Sequence, residues 1–242
     1  MENNESLKKK QSLLELILAI TLSFIGGFIE LYSLQVHGIF AGMQTGNLIQ
    51  AFIFLSDSQF TLALYRFLLI GVFFIACLLA ELLKLVLEKR NKRIELVILI
   101  AQLCMLLPLF FIKVAPYNDE PKPLNIVADI FLTAFSAFQY MTFKEMHGHT
   151  YATTMMTNLL SNIAKNLVDF FKLKDKRNGR TCLDLLAILI CFILGALTAY
   201  LILKAIKSAS AEYISLILFL PAALIVISGV IAYFRYCKKQ KE

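Results

Sequence analysis

The stretch FIGGFIELYSLQVHGIFAGMQTGNL, from Phe24 to Leu48, decides how this chain is read. It opens as an apolar helix that carries one carboxylate, Glu30. From Gly38 onward the apolar run is broken by Gly42, Gln44, Thr45, Gly46, Asn47 and, a little later, Gln50. Only residues 49–55 return to apolar character, about two turns of helix at ~1.5 Å per residue. A membrane crossing needs about 20 mostly apolar residues. Segment 38–55 therefore reads as a broken or re-entrant piece beside a full span.

Outward from it, six stretches meet the length requirement: 13–34, 64–87, 94–115, 124–143, 182–203 and 213–234. Hydrophobic residues make up 59% of the chain and charged residues 17%, with a mean hydropathy of +0.72. A soluble domain carries roughly 25% charged residues. The fold class that follows is all-α, a polytopic membrane protein with six transmembrane helices and two broken half-helices. A soluble enzyme, a secreted disulfide scaffold and a nucleic-acid-binding domain are excluded. The second interrupted stretch, 150–171, carries Asn158, Asn162, Lys165 or Asn166, and Asp169 on one helical face. Such a stripe must face protein, a water-filled cavity or the interface.

Loop charge sets the expected topology. Cytoplasmic loops are enriched in Lys and Arg. If both broken segments enter and leave on one side, 19 of the 24 basic residues fall inside. They include Lys8 to Lys10, the EKRNKR loop (Glu88 to Arg93), the KLKDKRNGR loop (Lys172 to Arg180) and the tail from Arg235. The five left over are Arg66, Lys113, Lys122, Lys204 and Lys207. The reading is an inner-membrane protein with both termini cytoplasmic. Segment 1–12 is a cytoplasmic leader into an uncleaved first span, because no small-residue cleavage site follows. Residues 13–115 form the first membrane repeat, 116–123 an external loop, 124–234 the second repeat and 235–242 a basic tail. Tyr32, Tyr65, Tyr117, Tyr140, Tyr200, Tyr213 and Tyr233 lie near span ends and read as an interfacial belt in a chain without Trp. The five cysteines form no CxxC pair and read as small hydrophobes.

The halves repeat weakly. HGIFAGMQTGNL (His37 to Leu48) has a counterpart in HGHTYATTMMTNLL (His147 to Leu160). Each follows a span with a polar residue near its end, Glu30 or Gln139, and precedes a short helix and two long spans. An odd number of crossings per half gives an inverted-topology repeat, a common transporter plan.

The Phe24 to Leu48 stretch resembles the signature of the YoaK family, bacterial inner-membrane proteins with a domain of unknown function. ATTMMTNL, Ala152 to Leu159, is similar to that family's second motif. The resemblance implies six spans and a transport role with no assigned substrate. It departs in two places. Glu30 stands where an Asp is expected, and Thr157, Asn158 and Leu159 stand where the second motif often reads TGN.

Helix starts inside a membrane point unpaired N–H groups and partial positive charge at the midplane. Thr45 and Thr157 read as N-caps of two such starts, and Gly46 permits close backbone approach. The proposed substrate-binding set is Glu30, Gln44, Thr45, Gly46, Asn47, Gln139, Thr154, Thr157 and Asn158, with the two Thr-led loops meeting near Glu30. Glu30 reads as a proton-coupling group or a direct solute contact, with a structural bond to a loop backbone as the alternative. Glu81 lies by Lys84 at a helix end, and Asp129 reads as reaching the outer interface. Gly26, Gly27 and Ser23 should bury a small face against the broken segments. Glu145, His147 and His149 are too few donors for a metal, so no metal, cofactor or catalytic set is expected. The partners are the lipid bilayer and a small solute or ion, with homo-oligomerisation allowed. The function read is transport or permeation of a small polar or anionic solute, not an enzyme. The alternatives are a structural subunit of a membrane complex and an intramembrane lipid-modifying enzyme.

Overall fold

The computed structural model describes residues 2–89, 93–112, 122–143, 145–146, 149–150, 156–173, 176–209 and 211–239. Its helices are α1 (Glu2–His37), α2 (Gln44–Ser56), α3 (Phe60–Lys89), α4 (Ile94–Leu106), α5 (Pro123–Thr142), α6 (Met156–Leu173), α7 (Lys176–Ala209) and α8 (Phe219–Lys239). A 3-10 turn, Leu107–Phe110, extends α4, and another, Ala211–Leu218, leads into α8. The two-residue strands Glu145–Met146 and His149–Thr150 pair antiparallel between α5 and α6.

Five of these helices contain apolar stretches long enough to cross a membrane: Ser12–His37, Phe60–Lys89, Pro123–Thr142, Arg177–Ile206 and Ile214–Phe234. They coincide with five of the six expected spans. The sixth, expected over 94–115, is a shorter apolar helix, Ile94–Phe110. Pro108 explains the shortening. It has no N–H to continue the α-helical ladder, so the last turn tightens to 3-10 geometry. Pro123 opens α5, where a missing N–H costs nothing.

Contacts fix the direction of each helix. His37, at the end of α1, meets Asp129 in the second turn of α5. Gln139, near the end of α5, donates to the Leu22 carbonyl oxygen at 2.7 Å, so α5 runs antiparallel to α1. The Tyr65 hydroxyl bonds Asp129, and the Phe73 and Tyr140 rings lie 6.3 Å apart, so α3 runs parallel to α5. Ser23 donates to the Ile188 carbonyl at 2.9 Å, and Gly27 lies on Phe192, so α7 runs parallel to α1. Arg93 lies over Tyr233 while Phe110 stacks on Phe219, so α8 runs antiparallel to α4.

The α1–α7 crossing is a backbone-to-backbone contact. A Cβ on Gly27 would collide with the Phe192 carbonyl, and one on Gly195 would collide with the Phe24 carbonyl. Small residues permit this approach between membrane helices. The small face of α1 thus packs on α7, where the sequence placed it against the broken segments. The reason is that Gly195 sits in register with Gly27, a match visible only once α7 is docked.

The core gathers Leu22, Ile25, Phe28 and Ile29 of α1 with Leu132 and Phe135 of α5 and Ile98 and Leu99 of α4. A smaller cluster joins Ala19 of α1, Leu159 of α6, and Leu185 and Ile188 of α7. Many apolar side chains of α3 and α7 point away from the packed interior, among them Leu64, Phe74, Ile75, Ile190 and Leu197. That inside-out distribution suits helices solvated by lipid.

Candidate functional site

The link between α1 and α2, residues 38–43, is non-helical backbone next to a buried carboxylate. Such backbone is tolerated at membrane depth only when its polar groups are satisfied internally. Every N–H from Gly38 to Met43 has a protein acceptor. Gly38 donates to Leu34 O and Ile39 to Ser33 O. Phe40 donates to Asn47 Oδ1 at 3.1 Å, and Ala41 to Ser33 Oγ at 3.3 Å. Gly42 and Met43 donate to the two oxygens of Glu30 at 2.8 and 3.3 Å. Three of the carbonyls are matched by side chains. Arg66 Nη2 donates to Gly38 O at 2.9 Å, Asn47 Nδ2 to Phe40 O at 2.7 Å, and Gln44 Nε2 to Ala41 O at 3.0 Å.

This accounting explains the motif. Asn47 presents an acceptor and a donor to one peptide, Phe40, and also bonds Gln44 Oε1 at 3.0 Å. Gly46 is required because a Cβ there would enter the Phe40 ring. Gly38 has a φ of 69°, in the region that glycine adopts without strain. Thr45 does not cap α2. The N-cap position is Met43, with no side-chain cap bond, and Thr45 is exposed. Glu30, on the neighbouring helix, instead accepts the two N–H groups that lead into α2, those of Gly42 and Met43. A carboxylate holding two N–H groups near a helix start is favoured by charge-assisted bonding and by the helix dipole.

A second set of polar groups lies beside the link. His37 Nδ1 stands 2.6 Å from Asp129 Oδ1. The Tyr65 hydroxyl donates to Asp129 Oδ2. Arg66 places its guanidinium against the rings of Phe54 and Tyr65, 5.6 and 5.5 Å from their centroids. His37, Arg66 and Asp129 are 2%, 1% and 1% exposed, and Glu30 is 7% exposed. Four ionisable side chains from α1, α3 and α5 are thus buried together at one end of the bundle.

Three expectations change here. Asp129 does not reach the interface, and Tyr32 and Tyr65 do not belong to a surface belt, since all three are buried. The physical reason is that α1 and α3 both cover the face of α5 that bears Asp129. His37 and Arg66 were not among the sequence candidates. The signals were present. Arg66 fails the inner-side charge rule yet sits inside an apolar span. Asn125, Asp129 and Thr133 recur every four residues on one face of α5.

The second-half candidates lie elsewhere. Gln139 is buried and reaches Leu22. Thr157 and Asn158 are exposed at the start of α6. Their neighbour Leu159 packs on Ala19, eleven residues before Glu30 on α1, a separation of ~16 Å at the α-helical rise. The structure therefore brings Glu30, Gln44, Gly46 and Asn47 together and leaves Thr157 and Asn158 further along α1. Thr154 lies outside the described residues. The side chains of Glu145, His147 and His149 do so too. Among the described residues no group of three His, Cys, Asp or Glu is placed to hold a metal. Glu81 pairs with Lys84 at 3.5 Å on the exposed side of α3.

A helical bundle with five or more apolar membrane-length helices is an integral, polytopic membrane protein. Within that class the chain belongs to the DUF1275 family, proteins of unknown function, which it matches over residues 18–229. The YoaK-type signature at Phe24 to Leu48 agrees with that membership. Comparison with curated proteins and with solved structures gives no match.

Proposed function

We propose that this protein is a transporter for a small polar or anionic solute, built as an inverted repeat in the inner membrane. The observation that carries the reading is the joint burial of Glu30, His37, Arg66 and Asp129 where α1, α3 and α5 meet. Ionisable side chains buried within membrane segments are costly to place there, and such residues mark solute and ion pathways. Helix pairing supports the repeat. Exchanging α1–α4 with α5–α8 turns the α1–α7 packing into α5–α3, α2–α3 into α6–α7, and α4–α5 into α8–α1. Helix direction supports re-entry. The end of α1 and the start of α3 lie at the same end of the bundle, so α2 enters and leaves there. The same argument applies to α6, between α5 and α7. Both termini then share one side, which the basic loops assign to the cytoplasm.

The solute path runs along α1 from the start of α2 to the start of α6, past Thr45, Gln139, Thr157 and Asn158. No catalytic step enters this reading. One observation favours a structural subunit instead: Glu30, Gln44 and Asn47 are all committed to the backbone of the link. Purified protein in lipid vesicles separates the two. Exchange of radiolabelled small carboxylates, amino acids or nucleosides above the protein-free level supports transport. No exchange by folded protein gives the subunit reading. Topology is tested by a cysteine placed at Asn91 in a chain lacking its native cysteines. Labelling from outside would reverse the assigned orientation.

A further inference from the structure

We propose that transport is coupled to protons, and that the His37–Asp129 pair, not Glu30, carries the proton. The inference rests on the transport reading above and names its coupling ion. Glu30 is occupied: each of its oxygens accepts a backbone N–H of the link, so its carboxylate is part of the fold. Asp129 is arranged differently. Oδ2 accepts from the Tyr65 hydroxyl, and Oδ1 faces His37 Nδ1 at 2.6 Å. The contact is close but not aligned as a hydrogen bond, so Nδ1 and Oδ1 stand with Nε2 among the buried polar atoms of the described residues that lack a hydrogen-bond partner. A neutral imidazole carries one ring proton, and with that proton on Nδ1, toward Asp129, Nε2 is the ring's acceptor. Among the described residues Nε2 is buried and has no hydrogen-bond partner. A buried imidazole nitrogen left open, in a residue whose partner already orients the ring, is a proton acceptor in waiting.

The Tyr32 ring lies 5.5 Å from the His37 ring, and Asp129 of α5, which also takes the Tyr65 hydroxyl of α3, lies on Nδ1. Glu30 of α1 and Arg66 of α3 are buried at the same end of the bundle, and the link and α2 contribute no ionisable side chain. On this proposal the N–H bond forms at Nε2, the open ring nitrogen. Release to water from the same atom restores the first state. His37 closes α1 beside the link, so this charge change falls where α2 docks.

The test uses the full chain in vesicles of phosphatidylethanolamine and phosphatidylglycerol, with radiolabelled lactate, glutamate and uridine as probes. One arm measures exchange at equal pH on both sides. The other measures accumulation driven by an inside-alkaline pH step. The wild type should do both with at least one probe. His37→Gln and Asp129→Asn should continue to exchange that probe while pH-driven accumulation falls to the protein-free level. His147→Gln, a histidine outside the pair, should keep both. If Asp129→Asn does not elute as a single folded species, Tyr65→Phe takes its place, with weakened accumulation and retained exchange expected. PH-driven accumulation that survives in His37→Gln overturns the proton role. Loss of exchange together with accumulation overturns it too, by placing His37 in the solute site. Exchange without any pH-driven accumulation in the wild type removes coupling but leaves transport. No exchange in the wild type removes transport itself, and coupling with it.

Discussion

The two parallel helix pairs, α1–α7 and α3–α5, solve the same packing problem by opposite means. In α1–α7, Gly27 and Gly195 let each backbone touch the other, and beside them Ser23 donates to the Ile188 carbonyl. In α3–α5 the contact is built from Tyr65 on Asp129 and from the Phe73 and Tyr140 rings. Gly71, the glycine on α3, has open space around it, with nothing within 4 Å of where a Cβ would stand. Close glycine packing gives a rigid joint with one arrangement. The joint held by ionisable groups is the one on which the proposed proton would act.

The comparison breaks most directly at Gly27. Gly27→Leu places a side chain against the Phe192 backbone, which has no rotamer to yield, and should abolish a monodisperse folded species on size exclusion. Gly71→Ala is its control and should be neutral or stabilising by up to about 1 kcal/mol from helix propensity. Equal yields for the two would end the claim that the α1–α7 crossing is the rigid joint.

Asp129→Ala comes next. It strands His37 and the Tyr65 hydroxyl in the interior. Each buried polar group left unsatisfied costs about 1–3 kcal/mol, read as a fall in thermal midpoint in detergent or nanodiscs. A change under about 1 kcal/mol would mean that the network holds nothing together.

The link should respond in the middle range. Asn47→Ala orphans both polar groups of the Phe40 peptide and should cost about 1–3 kcal/mol. Glu30→Ala should cost at least as much, whereas Glu30→Gln, which keeps one acceptor, should cost less. Equal losses in the two Glu30 variants would mean that its charge, not its bonding to Gly42 and Met43, holds the link.

Thr45→Ala should move stability by less than about 0.5 kcal/mol, as exposed positions outside special geometry do. A loss of 1 kcal/mol or more would restore Thr45 as the cap of α2.

The sequence by itself determined the membrane class, the positions of five of the six expected spans and the existence of a break after His37. Those follow from hydropathy, glycine placement and the number of residues a bilayer requires, all of which are local. It also singled out Glu30, Gln44, Gly46 and Asn47, because a polar run inside an apolar chain must be compensated somewhere. Which group compensates which was decided by tertiary structure. Glu30 and Arg66 act on a link to which neither belongs, from α1 and α3. His37 and Asp129 are 92 positions apart in the chain and meet only because α5 docks antiparallel on α1. The glycine crossing likewise needs Gly27 and Gly195 in register. Hydropathy reports how deep a residue sits. It carries no information about which helix faces it at that depth, and a buried charge finds its partner at that second level.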